Sequence, residues 1–346
     1  MSLNIFTDLR IDKRILVVAE LSANHNHDFD RAVRTIKAMK KAGADAVKLQ
    51  TYTPDTITID CDNEYFQIKE GLWKGKTLYE LYQEAYTPWG WQPKLKKIAE
   101  DLGLICFSSA FDKTAVDFLE NMNVPAYKVA SFEITDIPLI EYIASKGKPI
   151  IISIGIATLA DIEEAVNACK RMDNEQIALL KCTSAYPAPI EDANLLTIPN
   201  MRETFGTVVG LSDHTLGSSA AIASVALGAK IIEKHFILDR NIGGPDSAFS
   251  IETDEFKYMV KSIREVEKAL GLVTYNLTEK QKKSREFSRS LFVVKDIKKG
   301  EVFTEENVRS IRPGFGLHTR YFKEIFKKKA TKDIKKGTPL SWDLIS

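Results

Sequence analysis

A chain of 346 residues with 48 Lys+Arg against 47 Asp+Glu and 44% hydrophobic residues has room for one large α/β domain with a small companion, or for two medium ones. A net charge of +1 excludes strong whole-molecule steering toward nucleic acid or an acidic membrane, and no apolar run reaches the ~18–20 residues of a membrane span. The opening MSLNIFTDLRIDKR lacks the apolar core and cleavage site of a secretory signal, and Cys61, Cys106, Cys169 and Cys182 show no CxxC spacing, so reduced thiols and a cytoplasmic location are expected.

Along the chain the apolar pattern alternates between two periods. Runs rich in strand formers fall at 15–20 (ILVVAE), 46–52 (AVKLQTY), 103–111 (GLICFSSAF), 126–132 (AYKVASF), 149–155 (PIIISIG), 177–184 (IALLKCTS), 207–214 (TVVGLSDH) and 229–236 (AKIIEKHF). Each is nearly continuously apolar, as parallel strands covered on both faces are. Between them, helical spacing predicts helices at 30–42, 91–102, 113–122, 137–146, 159–172, 194–204, 218–227 and 254–270. Asp30 is the predicted cap of the first. The last is predicted to start at a Thr253 cap, to bury a stripe of Phe256, Met259, Val260, Ile263, Val266 and Leu270, and to stop at Gly271.

Eight strand–helix pairs over roughly 270 residues predict an α/β fold, a (β/α)8 TIM barrel. A doubly wound open sheet is the runner-up, but AELSANHNHD after the first strand is no Gly-rich nucleotide turn. The stretch from Thr53 to Gly90 is long for a loop after a barrel strand and reads as an excursion over one end of the barrel. The barrel is assigned residues 1–271, a polar linker 272–289, and a β-rich module 290–346 in which KDIKKG occurs at 295–300 and again at 332–337, as two similar turns would. That module carries 13 Lys+Arg against 7 Asp+Glu and is too small to bury much core alone.

The working residues of a βα barrel sit where its strands end. Here those ends carry Glu20 with Asn24 and His25; Lys48 with Gln50; Ser108 and Ser109; Lys128 with Ser131 and Glu133; Ser153; Lys181 with Thr183, Ser184 and Tyr186; Ser212 with Asp213 and His214; and Glu233, Lys234 and His235. His214 and His235 end adjacent strands, a pair that can hold a borderline divalent cation such as Mn²⁺ or simply cap the strands. His25 and His27 suit substrate contact or solvation better than a metal, and His318 reads as a surface or hinge residue. Lys48, Lys128 and Lys181 suit either an imine-forming aldolase or an anion cradle completed by Ser131, Ser153 and Ser212; the hydroxyls favour the cradle. Glu20 and Glu233 can act as acid and base, bind sugar hydroxyls, or balance the lysines, and Asp246 in GGPD can fold back over the mouth.

Taken together, AELSANH, DAVKLQTYTPDT, AYKVASFE, IISIGIAT, LKCTSAYPAPIED, GLSDHT, IEKHF and GGPD resemble the sialic acid synthase family, and RSLFVVKDIKKGEVFTEENVRSIRPGFGL resembles that family's antifreeze-like (SAF) module. The resemblance runs in order from about residue 10 to the end. Within the family, LSANH, QTYTPDT, EGLWKGKTLYELYQ and RPGFGLH are nearest to pseudaminic acid synthases; N-acetylneuraminate synthases more usually have Asn where this chain has Ser184, and legionaminic acid synthases are a further alternative.

The resemblance implies a metal-dependent condensation of phosphoenolpyruvate with the open-chain aldehyde of an acetamido hexose, releasing phosphate by C–O cleavage. It implies Mn²⁺ or Mg²⁺ on His214 and His235, phosphoenolpyruvate on Lys48, Lys128, Ser131, Ser153, Ser184 and Ser212, and the sugar on Glu20, Gln50, Tyr186, Asp246 and Arg312. It makes Glu233 the proton-transfer carboxylate, with Glu20 and the two histidines completing the catalytic set. It also implies a domain-swapped homodimer in which a second copy presents Arg312, with neither nucleic acid nor membrane as a partner. A 6-deoxy sugar needs apolar surface where a 6-hydroxyl would seek a partner, and Phe66, Leu72, Trp73 and Tyr82 are candidates for it.

Overall fold

In a computed structural model the described residues are 14–346; the opening stretch read above as lacking a secretory signal, all but its last residue Arg14, lies outside them. The chain divides after Gly271, the second unit being Leu272–Ser346.

The first unit is built on eight strands: β1 (Leu16–Glu20), β2 (Ala46–Thr51), β3 (Ile105–Ala110), β4 (Tyr127–Val129), β5 (Ile150–Ser153), β6 (Ile177–Cys182), β7 (Val208–Asp213) and β8 (Ile231–Ile237). Each pairs in parallel with the next, and β8 pairs back onto β1, so the sheet closes into a barrel. A two-residue strand, β9 (Ile251–Glu252), pairs in parallel with the last residues of β8.

Period-two alternation gives the barrel two cores. Outward residues such as Val17, Val47, Val129, Ile152, Leu179 and Phe236 pack under the helices, while Leu16, Val18, Ala46, Phe107, Ala126, Ile151, Ala178, Leu180 and Ile231 plug the inside. Gly210 belongs to the plug, where a Cβ would stand 2.3 Å from Ile231 O and 2.6 Å from Leu180 Cδ2. Followed toward the strand ends, the same inward register turns polar: Glu20 follows Val18, Lys48 follows Ala46, Ser109 follows Phe107, Lys128 follows Ala126, Ser153 follows Ile151, and Glu233 follows Ile231.

The helices fall close to their predicted spans, but two caps differ. Helix Phe29–Ala42 is capped by Asp28, whose side chain accepts from Arg31 N, which leaves Asp30 inside the first turn. Helix Thr253–Leu270 is capped by Glu252 in a reciprocal box with Glu255, so Thr253 is its first helical residue and Leu270 is exposed. The excursion has structure of its own, with helices Pro54–Ile57 and Leu78–Ala85 and a bridge between Gln67 and Thr77. No helix among the described residues is long and apolar enough to cross a membrane.

In the second unit the polar stretch read as a linker contains a helix, Glu279–Ser284. β10 (Ser290–Val293) and β11 (Val308–Ile311) pair antiparallel over a core of Leu291, Val293, Ile297, Phe303, Val308, Ile325, Ile334 and Leu340. The repeated hexapeptide pairs with itself. Ile297 and Ile334 exchange backbone hydrogen bonds of 2.9 and 2.8 Å, Asp296 accepts from Lys336 N at 2.8 Å, and Asp333 accepts from Lys299 N at 2.9 Å.

Candidate active site

The polar ends of the inward register enclose one cavity of about 420 Å³. Glu20, Lys48, Gln50, Lys128, Ser131, Ser153, Ser184, Tyr186, Ser212, His214, Glu233, His235 and Asp246, each picked from the sequence, all line it. Arg312 is in the second unit, just after β11.

On one wall Lys48 sits between two carboxylates, 2.6 Å from Glu233 and 3.1 Å from Glu20. Burial lowers its pKa, but Glu20 and Glu233 outweigh that and hold it above the ordinary lysine value. Burial likewise pushes Glu20 toward the neutral acid, and His235 and Lys48 reverse this, bringing it down to about 2. Glu233 is lowered as well, with Lys48 and Lys128 overcoming its burial; it accepts from Ser212 Oγ at 2.8 Å, while its Oε2 has no partner.

Across the cavity Lys128 donates to Ser153 Oγ at 2.7 Å and to Val129 O at 2.8 Å. Burial lowers its pKa to about 8, partly offset by Glu233. Ser131 Oγ accepts from Gly155 N at 3.1 Å, and Ser184 Oγ is buried without a partner. A Cβ on Gly155 would stand 2.1 Å from Ser184 Oγ and 2.7 Å from Ser131 Oγ, so the missing side chain makes room for these two hydroxyls, which line the cavity together with Ser153 and Lys128. Such a cradle suits a phosphate or carboxylate. Cys182 adjoins it, its thiol brought to about 7 against its burial by His214, Ser131 and Lys128.

The two imidazoles lie with ring centroids 5.3 Å apart. His214 Nδ1 faces Thr183 O at 3.0 Å and His235 Nε2 faces Glu20 at 3.1 Å, so each ring has one nitrogen held by an oxygen and the other left over. On His235 the free nitrogen, Nδ1, is buried and unpartnered, with the Asp246 carboxylate 3.9 Å away. Burial keeps His235 below the ordinary histidine pKa and therefore neutral, whereas Cys182 pulls His214 upward against its burial. The orphaned lone pair on neutral His235, beside the oriented His214 ring, fits a divalent cation. Among the described residues no group of three or more His, Cys, Asp or Glu is placed to hold one.

Among the described residues, five of the ten buried side-chain polar atoms that lack a partner line this cavity: Ser109 Oγ, Glu133 Oε2, Ser184 Oγ, Glu233 Oε2 and His235 Nδ1. Unpaired buried polar groups are costly, and their concentration here marks a site that a polar ligand completes.

Several sequence readings change. Lys181 does not line the cavity; one residue before the inward Cys182, it donates to Cys182 O at 2.8 Å. The same alternation takes Ser108 out of the mouth, and it bonds Thr51 at 2.7 Å. His25 is buried against Thr87 at 3.0 Å, and His27 faces Gln83 O, so neither lines the cavity. Of the four apolar candidates Trp73 and Tyr82 line it; Phe66 does not, and Leu72 is exposed. The apolar wall also includes Ile57, Ile68, Leu81, Phe111 and Phe249, and Trp73 Nε1 bonds Pro245 O at 2.9 Å, tying the excursion to the turn that carries Asp246.

Glu133, named at a strand end without a role, lines the cavity with a pKa raised to about 7 by burial, against the pull of Lys128. Ser22, inside the AELSANH motif but given no role there, lines the cavity and bonds Asp246.

The NeuB family model matches residues 35–275 and the SAF domain model residues 288–346. The chain is 50% identical to the pseudaminic acid synthase of Campylobacter jejuni over 95% of its length and 96% of that protein's. It is 50% identical to the pseudaminic acid synthase of Helicobacter pylori, covering 94% of this chain and 96% of that one. A crystal structure of N-acetylneuraminic acid (sialic acid) synthetase from Leptospira borgpetersenii, in complex with citrate, superposes with a TM-score of 0.71 at 28% identity, over 79% of this chain and 90% of that one.

Proposed function

The chain belongs to the NeuB family, and on that premise we propose that it makes pseudaminic acid by condensing phosphoenolpyruvate with the open-chain aldehyde of a 2,4-diacetamido-2,4,6-trideoxy hexose of altro configuration. The observation that carries the reading is the meeting, in one cavity, of an anion cradle, an ionised carboxylate and two oriented imidazoles.

Lys128, Ser131, Ser153 and Ser184 hold the phosphate and carboxylate of phosphoenolpyruvate, with Ser212 and Lys48 nearer the carboxylate pair. Glu20, Gln50, Tyr186 and Asp246 hold the sugar, Glu20 being fixed by the Gln50 amide at 2.9 Å. C3 of the enol attacks the aldehyde carbon, water adds at C2, and phosphate leaves from the tetrahedral centre that results. Glu233, kept ionised by Lys48, accepts a proton from that water. A divalent cation, Mn²⁺ or Mg²⁺, on His214 and His235 would supply Lewis-acid polarisation of the aldehyde oxygen. The apolar wall of Ile57, Ile68, Trp73, Leu81 and Phe111 suits a deoxy sugar. Arg312 on a second copy in a swapped homodimer is assigned to the sugar from the likeness of the C-terminal module, and the four free cysteines suit the cytoplasm.

Phosphate release measured with phosphoenolpyruvate and a panel tests this. The panel holds N-acetylmannosamine and the altro and manno 2,4-diacetamido-2,4,6-trideoxy hexoses. Turnover is expected with the altro sugar; turnover confined to the manno sugar means a legionaminic acid synthase, and turnover confined to N-acetylmannosamine an N-acetylneuraminate synthase. One observation favours an imine-forming aldolase, the pKa of Lys128 at about 8. A borohydride-stable pyruvate adduct on Lys128 would replace the present mechanism with that one.

A further inference from the structure

Behind the two histidines, on the side of the strands away from the cavity, lies a buried ion pair that the chemistry above does not use. Asp213 and Lys234 are directly opposite in the β7–β8 register, and neither lines the cavity. Their side chains are each 1% exposed, with Lys234 Nζ 2.6 Å from Asp213 Oδ2. Lys234 Nζ also donates to Thr215 O at 2.6 Å, while Asp213 Oδ1 accepts from Thr215 N at 3.0 Å and Thr215 Oγ1 at 2.8 Å.

These bonds bracket the histidines. Asp213 and Thr215 flank His214, and Lys234, next to His235 in the neighbouring strand, donates to the Asp213 carboxylate on one side of that imidazole and to the Thr215 carbonyl on the other. Ala188 N, donating to His214 O at 3.0 Å, pins the same turn from a third direction. A buried ion pair is seldom the most stable way to fill such a space, since apolar side chains avoid the desolvation. What apolar side chains cannot do is fix the direction of a turn.

We propose that the Asp213–Lys234 pair is a positioning device that sets the spacing and aim of His214 and His235 for a divalent cation. The proposal rests on the reading of those histidines as cation ligands. Neither residue touches cation or substrate; both act through the neighbouring imidazoles.

The test is a titration of the full-length protein with MnCl₂, reading free Mn²⁺ by electron paramagnetic resonance, beside thermal unfolding without metal. The proteins are wild type, Lys234→Met, and the doubly neutral Lys234→Met/Asp213→Asn, in which the asparagine oxygen can still accept from Thr215. Lys234→Met leaves a buried carboxylate without its cation, and its melting temperature is expected to fall. The double variant removes that lone charge and is expected to recover most of the melting temperature while still binding Mn²⁺ at least about tenfold more weakly than wild type, the usual size of an outer-shell effect. That separation of stability from affinity is what a positioning role predicts. Wild-type affinity in the double variant would show the pair to be structural only and overturn the proposal. A wild-type protein that takes up no Mn²⁺ would instead overturn the reading of the histidines, and the proposal with it.

Discussion

Replacing Gly155 by alanine tests the anion cradle with one methyl group. Gly155 follows β5 in a backbone conformation open to any residue, so alanine meets no backbone strain; what its Cβ meets is Ser184 Oγ at 2.1 Å, Ser131 Oγ at 2.7 Å and Cys182 Sγ at 3.2 Å. Ordinary contact begins near 3.4 Å, so the Ser184 hydroxyl must retreat by more than an ångström and the Ser131 hydroxyl by somewhat less. Both are tips of rotatable side chains, and turning them aside costs the fold little while carrying both donors out of the cradle. A hydrogen bond to a charged group contributes about 1.5–3 kcal/mol, so losing two amounts to about 3–6 kcal/mol of anion binding. At about 1.4 kcal/mol per decade, the KM for phosphoenolpyruvate should rise roughly 100- to 10,000-fold. The assay is phosphate release against phosphoenolpyruvate concentration at saturating sugar, with thermal unfolding as the control. The expected melting temperature is within a few degrees of wild type. A KM within threefold of wild type in a folded variant would falsify the assignment of Ser131 and Ser184 to the anion.

Lys48→Met removes the cation that Glu20 and Glu233 share in a buried enclosure, and its stability in urea at pH 7 should fall by about 3–5 kcal/mol. In wild type the Glu20 pKa is lowered from 4.5 to about 2, so its contribution is full above pH 4.5 and disappears as pH falls toward 2; the variant's deficit should narrow over that window, and a deficit independent of pH would count against the pairing. Lys128, lowered to about 8, is cationic below that pH and neutral above it, so the KM for phosphoenolpyruvate should climb as pH passes upward through 8; a flat profile from pH 7 to 9.5 would remove Lys128 from the anion site. His214→Ala should lose metal-dependent turnover with an unchanged far-ultraviolet circular dichroism spectrum, and full activity in the presence of a chelator would end the assignment of the histidine to a metal. Arg312→Ala should raise the KM for the sugar more than it lowers kcat, and an unchanged sugar KM would exclude that arginine from the site.

Much of this molecule is written in the linear order of its residues. Eight apolar runs separated by helical periods are local properties of side chains, and they predict parallel strands covered on both faces; the pairing of β8 with β1 is what makes them a barrel and not the open-sheet runner-up. The polar residues at the ends of those runs follow from the same regularity. Where local chemistry competes with itself, the sequence is ambiguous: Asp28 and Asp30 can both cap a helix, and only the backbone path selects Asp28.

What tertiary structure alone decided is which way each polar residue faces. Lys128 and Lys181 look alike in the chain, each ending an apolar run, yet closure of the barrel sends Lys128 inward to Ser153 and leaves Lys181 bonded to the backbone of Cys182. Asp213 and Lys234 are interleaved with cavity residues, and their alternating position takes them to the outer layer, where they bond each other. Depressed or raised acidity has the same origin, because it depends on the burial and charges that assemble only when β1, β2, β4 and β8 bring Glu20, Lys48, Lys128 and Glu233 into one enclosure. Residue type and spacing determine the strands; direction, distance and field come from closing the barrel.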